Sequence, residues 1–164
     1  MKQLILVRHA KSSWADESLR DIERPLNKRG LRNAPEMGHR LAAANVAVER
    51  LYSSPAVRAQ HTAELIAGEL GFAAEQIETL SSLYTFNYEE LLSLVRSLDD
   101  DCDRVMLVCH NPAITDLVNF LALSHLGNIP TAGVATLHIQ HNNWAETSAG
   151  SAELVEFDYP KKES

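Results

Sequence analysis

Leu4-Ile5-Leu6-Val7-Arg8-His9-Ala10 sets four unbroken apolar residues directly against an arginine and a histidine. A continuous apolar run of this length, rich in β-formers, is the pattern of a strand covered on both faces, as in a parallel sheet. Arg104-Val105-Met106-Leu107-Val108-Cys109 repeats the pattern and ends on His110-Asn111. Between the two runs the chain reads mostly helical. Asn27 caps a segment reaching Asn45, with Leu31, Ala34, Met37, Leu41 and Ala44 at three- and four-residue spacing, while Gly30 and Pro35 predict a kink or a late start. A short strand, Arg50-Leu51-Tyr52-Ser53, leads to Pro55 at a helix first turn. Val57, Ala59, Ala63, Leu65, Ile66 and Leu70 then form a buried stripe that Gly71 ends. Glu89 to Leu98 and Pro112 to Leu123 read as two further helices. Val134 to Ile139 and Ala152 to Phe157 read as strands joined by the polar segment Gln140 to Ser151, an antiparallel ending. Strands alternating with helices predict a three-layer α/β/α sandwich whose central sheet is mostly parallel, with an antiparallel C-terminal part.

Composition bounds the rest. The 164 residues, 45% hydrophobic and 23% charged, fit one globular domain over residues 1–160 with a short charged tail at 161–164. A chain of this length buries roughly 70% of its extended surface, so it needs no metal or disulfide staple. Cys102 and Cys109 lie in no CxxC or Cys/His ladder, which argues against zinc and for a reducing, cytoplasmic setting. Fifteen Lys and Arg against twenty-two Asp and Glu leave a net charge of −7, against a nucleic-acid or anionic-membrane surface. Leu4 to Val7 is too short for a signal peptide, and no run approaches the ~20 apolar residues of a membrane span.

The carboxyl ends of strands are where open α/β sheets bind ligands. Arg8, His9 and His110 all follow strands, so they are candidates for one crevice; alternatively, each histidine terminates its strand as an ordinary satisfied residue. Arg58 and His61 lie in the first turns of the helix after Ser53, where free N–H groups and the dipole favour anions. A solvated Arg58 is the other reading of that position.

Three separated blocks then resemble the histidine phosphatase superfamily, the phosphoglycerate-mutase-like fold: Arg8-His9-Ala10-Lys11-Ser12, Ser54-Pro55-Ala56-Val57-Arg58-Ala59-Gln60-His61-Thr62-Ala63, and Cys109-His110-Asn111-Pro112. The match runs from Leu4 to about Thr136. Small size and Arg24-Pro25-Leu26-Asn27 look most like the phosphohistidine phosphatase SixA branch. The resemblance implies a metal-independent, cofactor-free reaction in which His9 attacks phosphorus, a phosphohistidine forms, and water releases inorganic phosphate. Arg8, Arg58 and His110 would surround the transferring group, consistent with a chemistry that asks for positioning and positive charge. Ala10 and Cys109 replace the family's glycines. Cys109 ends an apolar strand, where cysteine is ordinarily a small buried hydrophobe rather than a nucleophile.

The acid is the open question. Relatives acting on alkyl phosphates protonate the leaving oxygen with a carboxyl group, and here the middle region offers only Glu89 and Glu90 at a helix start. Asp21 is the other candidate, although it is equally placed to orient Arg24. Lys11, Ser12 and Ser13 are further candidate contacts, and Trp14, Tyr84, Phe86 and Tyr88 are candidates for an aromatic rim. A missing strong acid suits a labile phosphoramidate, so a phosphohistidine-bearing protein is the expected substrate. The alternatives are a small-molecule phosphomonoesterase or a non-catalytic phosphoprotein-binding module.

Overall fold

The computed structural model describes residues 1–162. Six strands form one sheet in the order β3-β2-β4-β1-β5-β6: β1 (Lys2–Arg8), β2 (Arg50–Ser53), β3 (Glu78–Thr79), β4 (Arg104–Cys109), β5 (Val134–Ile139) and β6 (Ala152–Asp158). The strands from β3 to β1 run parallel, whereas β5 is antiparallel to both β1 and β6. Helices α1 (Lys28–Ala43) and α2 (Val57–Leu70) cover one face, and α3 (Tyr88–Arg96) and α4 (Ala113–Ala122) the other. The expected three-layer sandwich is the fold. The part of the charged tail beyond residue 162 lies outside the described residues.

Strand β1 shows why its run is continuously apolar. Successive side chains point to opposite faces: Leu4 and Leu6 enter the core beneath α3 and α4, and Ile5 and Val7 the core beneath α1 and α2. Strand β4 does the same with Val105 and Leu107 against Met106 and Val108.

Helix α1 departs from expectation. It starts at Lys28 and runs through Pro35 to Ala43, with the Asn27 carboxamide accepting the Gly30 N–H at 2.9 Å. Gly30 serves packing rather than interruption, since a Cβ there would lie 2.2 Å from the Lys11 carbonyl oxygen. The buried stripe is Gly30, Ala34, Met37 and Leu41, so Leu31, one helical step away, is exposed. Val57 is exposed for the same reason on α2, whose C-terminus is closed by Gly71 at φ 71°. Within the supposedly polar segment, Trp144 is fully buried and donates its indole N–H to the Cys102 carbonyl at 2.8 Å.

Parallel register brings the strand ends to one edge. Arg8 lies opposite Cys109, and Ser53 opposite Val108. Beyond the strands the ladder continues, with the His9 N–H donating to the Cys109 carbonyl and the Ser54 N–H to the Val108 carbonyl. No helix among the described residues is long and apolar enough to cross a membrane.

Candidate active site

A pocket of about 240 Å³ opens at this edge, and its lining includes Arg8, His9, Ser12, Asp21, Arg24, Arg58 and His110. The two histidine rings lie 5.1 Å apart between centroids. Arg58 is buried beneath them rather than solvated, at 3% exposure.

The tautomer of His9 follows from its partners. The Ala10 carbonyl can only accept, so the contact at 2.8 Å places a proton on Nδ1 and leaves Nε2 unprotonated. Arg58 points its Nε–H at that nitrogen from 3.4 Å. Burial pushes the His9 pKa down to about 4; the Ala10 hydrogen bond opposes this, and the charges of Arg58, Arg8 and Arg24 reinforce it. The ring is therefore neutral at pH 7. His110 is also held low, to about 3, by burial and then by His9 and Arg58. Burial makes His110 neutral at pH 7, so the positive charge around the pocket comes from the arginines.

Asp21 sits in a short 3₁₀ turn, Asp21–Glu23, and is held by three donors. Its Oδ2 accepts from Arg58 at 2.9 Å and from the Tyr84 hydroxyl at 2.6 Å, and its Oδ1 accepts from Arg24 at 3.2 Å. Its backbone carbonyl takes another Arg58 N–H at 2.7 Å. Burial works to raise this carboxyl, but the hydrogen bonds from Tyr84, Arg58 and Arg24 and the Arg58 charge outweigh it and hold the pKa at about 2. Arg24 in turn donates to the Ser12 hydroxyl at 2.8 Å, which ties Ser12 to the arginine network.

Glu89 is not brought into this cluster. It stands exposed on the first turn of α3, where its charge complements the helix dipole. Tyr88 also leaves the rim, packing on Phe120 in the core. Trp14 and Phe86 do stand at the mouth, at 71% and 57% exposure. Trp14 stacks on the Arg24 guanidinium, 3.5 Å from ring centroid to carbon, and Phe86 meets the edge of His110. Cys109 is fully buried with its thiol pushed up to about 12, which removes it as a nucleophile at neutral pH.

Two hydroxyls at the site escaped the sequence reading. Thr62, one turn after Arg58, accepts the Ala10 N–H at 2.9 Å and donates to the Arg58 carbonyl at 2.7 Å, joining α2 to the loop after β1. Ser54 lies 2.7 Å from His110 Nε2. Both belong to the Ser54–Ala63 block, and that membership is the available signal. Among the described residues no group of three or more His, Cys, Asp or Glu is placed to hold a metal ion.

A mixed sheet with two buried neutral histidines and a fixed arginine cluster at its strand ends defines a site suited to phosphoryl groups. The chain belongs to the histidine phosphatase superfamily, whose branch 1 model matches residues 4–97, and this membership supports phosphatase activity. Among its relatives is an uncharacterised protein of Mycobacterium tuberculosis, 31% identical over 166 residues, covering 94% of this chain and 100% of that one. The fold is similar to a proposed phosphohistidine phosphatase SixA from Agrobacterium tumefaciens, with a TM-score of 0.83, 25% identity and coverage of 97% and 98% of the two chains. A second proposed SixA structure, from Nakamurella multipartita, gives a TM-score of 0.80, 26% identity and coverage of 98% and 97%.

Proposed function

We propose that residues 1–160 form a catalytic domain that hydrolyses phosphohistidine on proteins, with His9 as the covalent nucleophile. His9 Nε2 attacks phosphorus and the substrate's P–N bond breaks. The departing imidazole, protonated by solvent at its other nitrogen, leaves as a neutral ring. Water then attacks phospho-His9, giving inorganic phosphate and restoring the free imidazole. Arg8 and Arg58 offer N–H donors and charge to the phosphoryl oxygens, and stabilising the spread charge is the main requirement of this chemistry.

The observation that carries the substrate class is Asp21. It is the only carboxylate among the pocket's lining residues, and three donors keep it ionised. An alkoxide leaving group needs a proton, and general acid catalysis typically contributes about 10²–10⁴-fold. A phosphoramidate or an aryl phosphate needs much less help. Names of the similar structures, both proposed SixA phosphohistidine phosphatases, support the same reading.

The test is kcat/KM across leaving groups at fixed pH, for wild type and Asp21→Asn. The expected result is measurable turnover of phosphohistidine and p-nitrophenyl phosphate and much weaker turnover of serine phosphate, with similar steepness in both proteins. A flat dependence in wild type that becomes steep in Asp21→Asn would make Asp21 the acid and favour a small-molecule phosphomonoesterase.

A further inference from the structure

His110 Nδ1 is a buried nitrogen without a hydrogen-bond partner, on a residue only 1% exposed that lines the pocket. The rings around it do not supply one: Tyr84 directs its hydroxyl to Asp21, Phe86 has no polar atom, and the Nε2 of His9 faces Arg58. His110 Nε2, by contrast, is 2.7 Å from the Ser54 hydroxyl.

Which atom carries the proton follows from Ser54. Its oxygen already accepts the Ala56 N–H at 3.2 Å, and among the described residues His110 Nε2 is the acceptor within reach of its hydroxyl hydrogen. Ser54 is fully buried. If Nε2 carried the proton, the serine hydrogen and the Nδ1 lone pair would both be left unpaired. With the serine donating, a single group is left over, the Nδ1–H donor. A buried unpaired donor is costly unless a ligand supplies its acceptor.

We propose that Ser54 is a positioning residue: its hydroxyl donates to His110 Nε2, fixes the proton on Nδ1, and makes His110 a neutral N–H donor to an oxygen of the transferring phosphoryl group. This deepens the proposed function and rests on it for the identity of the ligand. A tautomer fixed in advance keeps this donor aimed at the oxygens over which charge is spread in the transition state, with no reorganisation at the moment of transfer. The rate should therefore suffer more than ground-state binding when the tautomer is released.

The experiment is ¹⁵N NMR of histidine-labelled protein, with His110 assigned from the His110→Gln spectrum, before and after addition of inorganic phosphate. The inference expects His110 with Nδ1 protonated and Nε2 bare in wild type, and an Nδ1–H signal that moves when phosphate binds. Ser54→Ala should give a mixture of tautomers and a roughly tenfold fall in kcat with little change in KM. Ser54→Thr or Ser54→Cys, whichever folds, should restore the wild-type tautomer at least in part. A wild-type Nε2–H tautomer overturns the inference, as does an unchanged tautomer in folded Ser54→Ala. Phosphate that shifts His9 and not His110 overturns it while leaving the phosphatase reading intact. Phosphate that shifts neither overturns both.

Discussion

The inner wall of the pocket and its rim are built on opposite terms. Arg8, His9, Arg58 and His110 sit at strand ends or in the first turn of α2, and His9, Arg58 and His110 are almost wholly buried. The Ala10 carbonyl, the Asp21 carboxylate and the Ser54 hydroxyl are hydrogen-bond partners that hold His9, Arg58 and His110 in turn. Trp14 and Phe86 stand in solvent on loops, Trp14 stacked on Arg24 and Phe86 meeting the edge of His110. A prebuilt wall needs no reorganisation when charge spreads over the oxygens of the transferring phosphoryl group. An open rim leaves the leaving group free to belong to something large, which is what a phosphorylated side chain on another protein requires. The two regions should therefore respond differently to substitution, the wall in rate and the rim in substrate affinity.

The largest effect belongs to His9. His9→Ala should lower turnover of every substrate by at least about 10³-fold, since it removes the covalent route that other groups cannot replace. The melting temperature should change little, because the ring sits at the pocket edge of the fold. Turnover above a few per cent of wild type would show that the wall is a binding site and that the chain is not an enzyme of this mechanism.

Arg58 tests whether the wall works as a unit. Arg58→Ala should weaken inhibition by phosphate or vanadate and reduce kcat/KM by about 10²–10³-fold, the usual scale for loss of one donor to developing charge. It should also move two titrations in known directions. Loss of a nearby cation favours protonation, so the His9 pKa should rise from about 4 towards, but not reach, its ordinary 6.5, because burial, the largest cause, and the charges of Arg8 and Arg24 remain. The Asp21 pKa should rise from about 2 as one of its donors disappears. NMR titration of both groups checks this. Unchanged values would mean that Arg58 is electrostatically idle.

Much of the wall was legible in the sequence because buried strands write themselves as apolar runs, and a polar residue at the end of such a run stands out. Arg8, His9 and His110 were found in this way, and Arg58 through its place at a helix start. What the sequence could not give were contacts between distant segments with no periodicity. Asp21 reaches Arg58 and Tyr84 across 37 and 63 residues, and nothing in its neighbourhood distinguishes clamp from acid. Gly30 signalled a kink or a late helix start, since glycine lowers helix propensity, but its bare Cα is what admits the Lys11 carbonyl. Trp144, a lone aromatic in a polar run, showed no pattern from which its burial could be read. Glu89 was singled out as a carboxylate of the middle region at a helix start, and its exposed place on the first turn of α3 keeps it out of the pocket.

The smallest effect is expected at the rim, and it decides what the rim is for. Phe86→Ala and Trp14→Ala each remove one aromatic face beside the pocket, and aromatic contacts contribute about 0.5–1.5 kcal/mol beyond area burial. KM for a phosphohistidine-bearing protein should therefore rise about 2- to 10-fold in each variant, with kcat within a factor of about two. Trp14→Ala carries an additional consequence, because Trp14 stacks on Arg24 and Arg24 holds both Asp21 and Ser12. Loosening that arginine should pass a small rate effect to the wall, so Trp14→Ala should lower kcat slightly more than Phe86→Ala does. The control is p-nitrophenyl phosphate, which has no protein segment to lay across the rim. If both substitutions raise its KM as much as that of the protein substrate, the aromatics recognise the leaving ring itself. If they affect only the protein substrate, the rim reads the surface around the phosphorylated residue, and the division between a wall that reacts and a rim that selects is sharpened.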